Sequence, residues 1–339
     1  MDEHTDTMKK IILASLQQSV KSRVVTPIRQ ASSLPAGLNP RGSIAAPFTP
    51  FKDNGDVDFS LIPTHIEYLK RLSVPSLFVN GTTGEGLSLT TQERKKITEA
   101  WLDNKAHFEH MIFHIGAGNL RDSQELAAHS ESVKVDAIAC ISPSYFKPQR
   151  VEDLVEYMRQ VAEAAPNTPF YLYDINFMTQ VYLSNPEFLE LAQSKIPTLV
   201  GIKHSSPELN SLMRCHVMDN EKYQILLGSD DTMLPALSMG ITNSVPSCFM
   251  APLHNKIRED FTKGDMKAAQ HTQLQCMEIA AIRAKYASGA GLFVASRAMM
   301  KMLGCDLGPP RLPLVPMEPS KYQSLEAELR QCGFLDILS

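Results

Sequence analysis

No stretch of about 18 or more apolar residues occurs in the chain, which excludes a membrane-spanning helix. Cys-x-x-Cys pairs are also missing. The six cysteines (Cys140, Cys215, Cys248, Cys276, Cys305, Cys332) are scattered, which speaks against a disulfide framework or a zinc ribbon and for a reducing compartment. Strong charge of either sign is lacking. The net charge is only -4, so nothing electrostatic points to nucleic acid or an anionic membrane. No Gly-Lys-Ser/Thr follows a glycine-rich turn, so a nucleotide P-loop is not expected. Internal repeats and low-complexity tracts are absent as well. One local absence stands out: from Met8 to Lys52 there is no acidic residue, while Lys9, Lys10, Lys21, Arg23, Arg29 and Arg41 are basic. With Leu13, Leu16, Val20 and Val24 at helical spacing, residues 1–40 read either as a disordered extension or as an organellar transit segment, although Asp2, Glu3 and Asp6 fit the latter poorly. The chain is accordingly expected in the cytoplasm, with the mitochondrion as the alternative.

What the sequence does contain is core material, 43% hydrophobic residues, arranged as an alternation of short apolar runs and amphipathic helical patterns. Eight runs read as strands: 43–46, 76–80, 111–117, 137–142, 170–175, 199–204, 224–228 and 242–246. Helical stretches lie between them at 59–72, where Leu61, Ile62, Ile66 and Leu69 share a face, and at 91–102, 151–164, 185–194 and 207–218. Eight strand–helix units predict a parallel sheet closed into a (β/α)₈ TIM barrel over residues 41–339. The strands read as near-continuous apolar runs, as strands buried on both faces do. Extra C-terminal helices are expected at 253–285, 291–302 and 322–331.

In such a barrel the reactive groups sit at the C-terminal ends of strands. Strand two ends in Asn80-Gly81-Thr82-Thr83-Gly84-Glu85-Gly86, a turn whose backbone N–H groups can cradle an anion; alone it reads equally well as a plain glycine turn. Strand six carries Gly201-Ile202-Lys203. Burial in an apolar run lowers a lysine pKa and yields the neutral amine that attacks a keto acid to form a Schiff base. A lysine snorkelling from a strand end is the alternative. On strand five, Tyr171 and Tyr173 share a face, and a phenol beside the lysine can move protons, or simply pack. Together, an anion cradle, a buried amine and a phenol are what a pyruvate aldolase needs. The three histidines His107, His110 and His114 straddle a helix end and a strand start, so they do not converge as metal ligands, and no metal is expected.

The run Phe78-Val79-Asn80-Gly81-Thr82-Thr83-Gly84-Glu85-Gly86-Leu87-Ser88-Leu89 resembles the signature of the N-acetylneuraminate lyase and dihydrodipicolinate synthase superfamily, in its animal form. Gly201-Ile202-Lys203, Tyr173 thirty positions before the lysine, and Gly308-Pro309-Pro310-Arg311-Leu312-Pro313-Leu314 carry the same resemblance, which covers roughly residues 40–335. The resemblance implies a class I aldolase that cleaves N-acetylneuraminate to N-acetylmannosamine and pyruvate. It needs no cofactor beyond the imine on Lys203 and works as a homotetramer. It implies Thr82 and Thr83 as binders of the pyruvate carboxylate, Tyr173 as the proton carrier, and Ser205, Gly228, Asp230, Asp231 and Ser247 as binders of the sugar tail. Tyr145 sits where the synthases place a tyrosine that reaches a neighbouring subunit. Asp230 and Asp231 also read as helix-capping acids. Departures cluster in the tail-binding half: Asp174 and Asn176 after strand five, and Pro246-Ser247-Cys248-Phe249-Met250 after strand eight. Asp174 beside the lysine would raise the lysine pKa. Met178 replaces the substrate-binding arginine of the synthases. The alternatives left open are an aldolase acting on another 2-keto acid and a barrel that binds a keto acid without turning it over.

Overall fold

A computed structural model of the chain describes residues 38–287 and 289–337, all within one compact unit spanning residues 33–339. The readings of the first 37 residues, the transit-like segment among them, lie outside the described residues.

The apolar runs form seven parallel strands in chain order: β1 (Ile44–Ala45), β2 (Ser76–Val79), β3 (His110–His114), β4 (Ala137–Ile141), β5 (Phe170–Asp174), β6 (Leu199–His204) and β7 (Gln224–Leu227). The eighth expected strand is reduced to a bridge. Ser244 pairs in parallel with both Ser43 and Leu227. The Ile44 N–H donates to the Ser244 carbonyl (2.8 Å), and the Val245 N–H to the Leu227 carbonyl (2.6 Å). β1 and β7 are thereby joined and the TIM-like barrel closes. Pro246 has no N–H to extend this ladder, which is why pairing stops there.

Alternation along the strands separates two apolar layers. Ile44, Phe78, Ile112, Ala139, Tyr171, Tyr173 and Leu226 point into the barrel. Leu77, Phe113, Cys140, Leu172, Ile202 and Ile225 point outward against the helices. Leu38 also packs in the inner layer, and its carbonyl accepts from Gln224 Nε2 (3.5 Å).

The helices follow local signals. Thr91–Leu102 starts from a capping box in which Thr90 and Glu93 satisfy each other's backbone N–H groups. A helix at Leu120–Ser132, capped by Asn119, fills the gap between β3 and β4 where the sequence pattern had named none. β3 is shorter than expected because the chain turns away after Ile115, whose N–H still donates to the Ala139 carbonyl of β4 (2.8 Å), and the Ala117 N–H donates instead to Ser123 Oγ (3.0 Å). The long C-terminal helix expected at 253–285 is two helices, Ala251–Thr262 and Met266–Lys285. They break at Gly264 (φ 79°), and Asp265 caps the second. Gly291–Met302, Pro319–Gln331 and Phe334–Ile337 complete the chain.

Candidate active site

β5 and β6 run in register with Tyr173 opposite Lys203 and Asp174 opposite His204. Alternation then decides the chemistry. Tyr173 and Lys203 face the barrel mouth, while Asp174 and His204 face outward. Lys203 is 5% exposed. Its Nζ lies 3.7 Å from the centre of the Tyr173 ring and 4.8 Å from that of Phe78, and donates to Ser205 Oγ (3.3 Å). Burial pushes the amine pKa below its ordinary value, against the Tyr173 hydroxyl and the more distant Asp230 and Asp174 carboxylates. Asp174 does raise the lysine pKa, as its place beside the lysine leads one to expect, but burial outweighs it. The Asp174 Oδ2 accepts from Asn185 Nδ2 (2.7 Å) and Ser206 Oγ (2.6 Å), so its charge is held outside the barrel.

The hydroxyl of Tyr173 is hydrogen-bonded to Thr82 Oγ1 (3.0 Å), which joins the end of β5 to the loop after β2. In that loop Asn80 (φ 59°) and Glu85 (φ 53°) occupy the left-handed region, which non-glycine residues avoid. Glu85 is fixed there by a buried ion pair with Arg297 (2.6 Å), and its second oxygen accepts the Arg311 N–H (2.9 Å). Thr49 Oγ1 donates to the Gly84 carbonyl (2.6 Å). The loop is thus bolted to the Gly291–Met302 helix and to the Gly-Pro-Pro-Arg segment.

A cavity of about 470 Å³ opens over Lys203. Thr83, Tyr173 and Ser205 line its reactive end, and Gly228, Asp230, Asp231 and Ser247 its distal end. Thr82 faces a neighbouring cavity of about 200 Å³, together with His114 and Met178. All nine expected site residues therefore converge on the barrel mouth. Gly228 backs directly onto Ser205, where an added Cβ would fall 2.0 Å from the serine Oγ. Asp230 and Asp231 do not cap the following helix, whose N-cap is Thr232. Asp230 instead accepts from the Ser247 N–H (2.7 Å) and Ser247 Oγ (2.8 Å), and Asp231 from Ser229 Oγ (2.6 Å).

Two groups in the site were not read as site residues from the sequence. Arg283 Nη1 donates to Asp230 Oδ2 (2.8 Å) and to Ser247 Oγ (2.8 Å). It stands in the last turn of the Met266–Lys285 helix, where a basic residue has an ordinary explanation in the helix dipole. His114, considered above only as a metal ligand, ends β3 and meets the Tyr173 ring edge-on at 5.5 Å between centres. Burial and the Arg94 charge hold it well below its ordinary pKa, which favours the neutral ring. The rule that barrel sites gather at strand ends could have flagged it. His110 instead accepts the Asn39 N–H (3.3 Å). Tyr145 is 87% exposed on the loop after β4, with Phe146 edge-on to it.

The model of the dihydrodipicolinate synthetase family matches residues 39–332. The chain belongs to that family. Among its members, N-acetylneuraminate lyase from Mus musculus is 36% identical over 300 residues, covering 87% of this chain and 93% of the relative. The N-acetylneuraminate lyase from Gallus gallus is 37% identical over 300 residues, covering 87% and 97%. Among solved structures, Proteus mirabilis N-acetylneuraminate lyase superposes with a TM-score of 0.82 at 33% identity, covering 87% of this chain and 99% of that one. The family match begins at Asn39, next to the first described residue, and takes in the whole barrel.

Proposed function

We propose that this chain is a Schiff-base lyase that cleaves N-acetylneuraminate to N-acetylmannosamine and pyruvate. The observation that carries the reading is the group Lys203, Tyr173 and Thr82: a buried, pKa-lowered amine under a phenol that a loop threonine holds in place. The neutral amine of Lys203 attacks the C2 carbonyl, and loss of water leaves the imine. The C3–C4 bond breaks as the C4 hydroxyl gives its proton toward Tyr173, and the electron pair moves into the imine as an enamine. Protonation at C3 and hydrolysis then release pyruvate. Thr82 and Thr83 hold the carboxylate. Ser205, Gly228, Asp230, Asp231 and Ser247 receive the polyhydroxylated tail. No cofactor enters this sequence.

The likeness to N-acetylneuraminate lyases of animals and bacteria supports this substrate. The second reading, an aldolase for another 2-keto acid, is favoured by the departures from the family pattern at Asn176 and at Pro246-Ser247-Cys248. Product analysis over a panel of sialic acids and other 2-keto acids separates the readings. Pyruvate and N-acetylmannosamine from N-acetylneuraminate are expected. Pyruvate from other keto acids but from no sialic acid would transfer the function to the second reading. No turnover of any would leave a keto-acid-binding barrel. We also infer a homotetramer in the cytoplasm; the exposed Tyr145–Phe146 pair supports association, and the six free thiols support a reducing compartment. Sedimentation analysis and cell fractionation test these two points.

A further inference from the structure

The distal half of the lysine cavity holds a buried charge pair that the lyase chemistry does not require. Asp230 is 9% exposed in its side chain and Arg283 14%, and they meet at 2.8 Å. Three donors converge on the two carboxylate oxygens: the Ser247 N–H, the Ser247 hydroxyl and Arg283 Nη1. Ser247 Oγ in turn accepts from Arg283, at 2.8 Å. A carboxylate offers about four lone-pair sites. One acceptor position is therefore left on Asp230 for a substrate hydroxyl, and it points in one direction. Nη1 also reaches Ser296 Oγ at 3.4 Å, and Nε is buried without a hydrogen-bond partner, so it is closed to a ligand. Nη2 is not among the buried atoms and none of the described hydrogen bonds uses it, which leaves it as the one spare donor. Arg283 lines the cavity with Ser296 and Phe293.

We infer that Arg283 is a specificity-determining residue for the tail of the keto acid, one that fixes Asp230 and Ser247 and presents its spare Nη2 donor to an acceptor oxygen on a long substrate. The inference rests on the lyase reading above and names what that site selects. A cavity end lined by bare carboxylates would accept from any hydroxyl. The Arg283–Asp230–Ser247 cluster has one acceptor site and one unused guanidinium nitrogen, Nη2. It favours a long, acceptor-bearing tail such as an N-acylated nine-carbon sugar acid over a short keto acid. The reactive end, with Lys203, lies outside this cluster.

The test uses the full-length chain, Arg283→Gln and Arg283→Lys, with N-acetylneuraminate and a six-carbon 2-keto-3-deoxy sugar acid as substrates. Trapping of pyruvate by borohydride is run on each protein. Truncating one partner of a buried charge pair costs enough to change binding by about tenfold or more. Arg283→Gln is expected to lose about tenfold or more in kcat/KM for N-acetylneuraminate, chiefly through KM, and less than about threefold for the six-carbon acid. The pyruvate adduct still forms on Lys203. Arg283→Lys keeps a cation beside Asp230 and is expected to recover part of the loss. Equal losses on both substrates, or a loss in kcat alone, would overturn the inference, as would unchanged discrimination in both variants. Should Arg283→Gln fail to trap pyruvate, the site has collapsed, and Arg283→Lys decides alone: unaltered discrimination there overturns the inference. Failure of the unaltered chain to trap pyruvate would instead remove the lyase reading on which it stands.

Discussion

At the scale of single residues the account turns on which side chains share a face. Tyr173 and Asp174 are neighbours in sequence, yet only the tyrosine meets Lys203, because successive side chains on a strand point to opposite faces. Tyr173→Phe is expected to lose roughly 10²–10⁴-fold in cleavage rate while still forming the imine slowly, since the phenol moves protons but makes no covalent bond. Steady-state rates set beside the yield of trapped adduct check this, and a variant that lost both in parallel would contradict it. The lowered pKa of Lys203 fixes a sign for pH dependence. Raising the pH deprotonates an amine, and a depressed pKa puts that change at a lower pH than in free lysine, about 10.4. The rate of adduct formation with pyruvate should rise with pH and level off below that value. An inflection at or above it would contradict the burial argument. The placing of Lys203 and Tyr173 together at the barrel mouth was legible in the sequence because both sit at strand ends beside recognisable motifs. That of Arg283 was not, because a basic residue in the last turn of a helix is what the helix dipole alone would select.

At the scale of elements, the loop after β2 shows how a local motif depends on a distant partner. Its glycines and threonines were readable as an anion cradle. The arginine that holds it was not, for Glu85 and Arg297 lie 212 residues apart in sequence. Arg297→Met leaves the Glu85 carboxylate unpaired in a buried site, and breaking a buried pair costs about 3–5 kcal/mol. Urea denaturation should show that loss, and activity should fall with it as Thr82 and Thr83 shift. Loss of less than about 1 kcal/mol, the level of a surface pair, would contradict the anchoring role. Gly201 makes a second case. A Cβ there would fall 1.9 Å from the Gln224 carbonyl oxygen, so the pairing of β6 with β7 requires glycine. The sequence offered Gly201 only as part of the lysine motif; its packing reason belongs to the neighbouring strand. The helix at Leu120–Ser132 escaped notice because its apolar face is thin, with Leu126 and Ala127 its buried apolar members.

For the whole molecule, the eight-unit alternation was enough to expect a closed parallel barrel, and seven strands with the Ser244 bridge close it. What alternation could not give was the reach of the chain before β1, where Leu38 enters the inner layer. We infer that the barrel domain includes Leu38. A chain beginning at residue 41 is expected to be less stable than one beginning at 38 by about 2–5 kcal/mol, the usual cost of removing a buried leucine side chain. Equal urea midpoints for the two would contradict a structural role for Leu38. The buried histidines are expected to weaken the fold in acid. Burial lowers His65 to about 3 and His254 to about 4, and His114 also lies well below its ordinary value. Unfolded, each takes a proton near pH 6.5. Below that pH the unfolded state binds more protons than the native state, so stability falls as pH falls, and the loss ends only as the folded values are reached. Three such groups give a slope of up to about 4 kcal/mol per pH unit between roughly pH 6 and 4. Urea midpoints measured across that range should fall steeply, and a flat profile would show that these histidines are protonated in the native state.

The covalent bond between Lys203 and the keto acid is the central claim, and borohydride tests it most directly. Reduction in the presence of pyruvate is expected to leave a three-carbon acid on one lysine, Lys203, and to abolish activity. Lys203→Ala is expected to lose the adduct and the activity together, since no other group in the site supplies the electron sink. An adduct mapped to a different lysine, or cleavage surviving in Lys203→Ala, would contradict the mechanism.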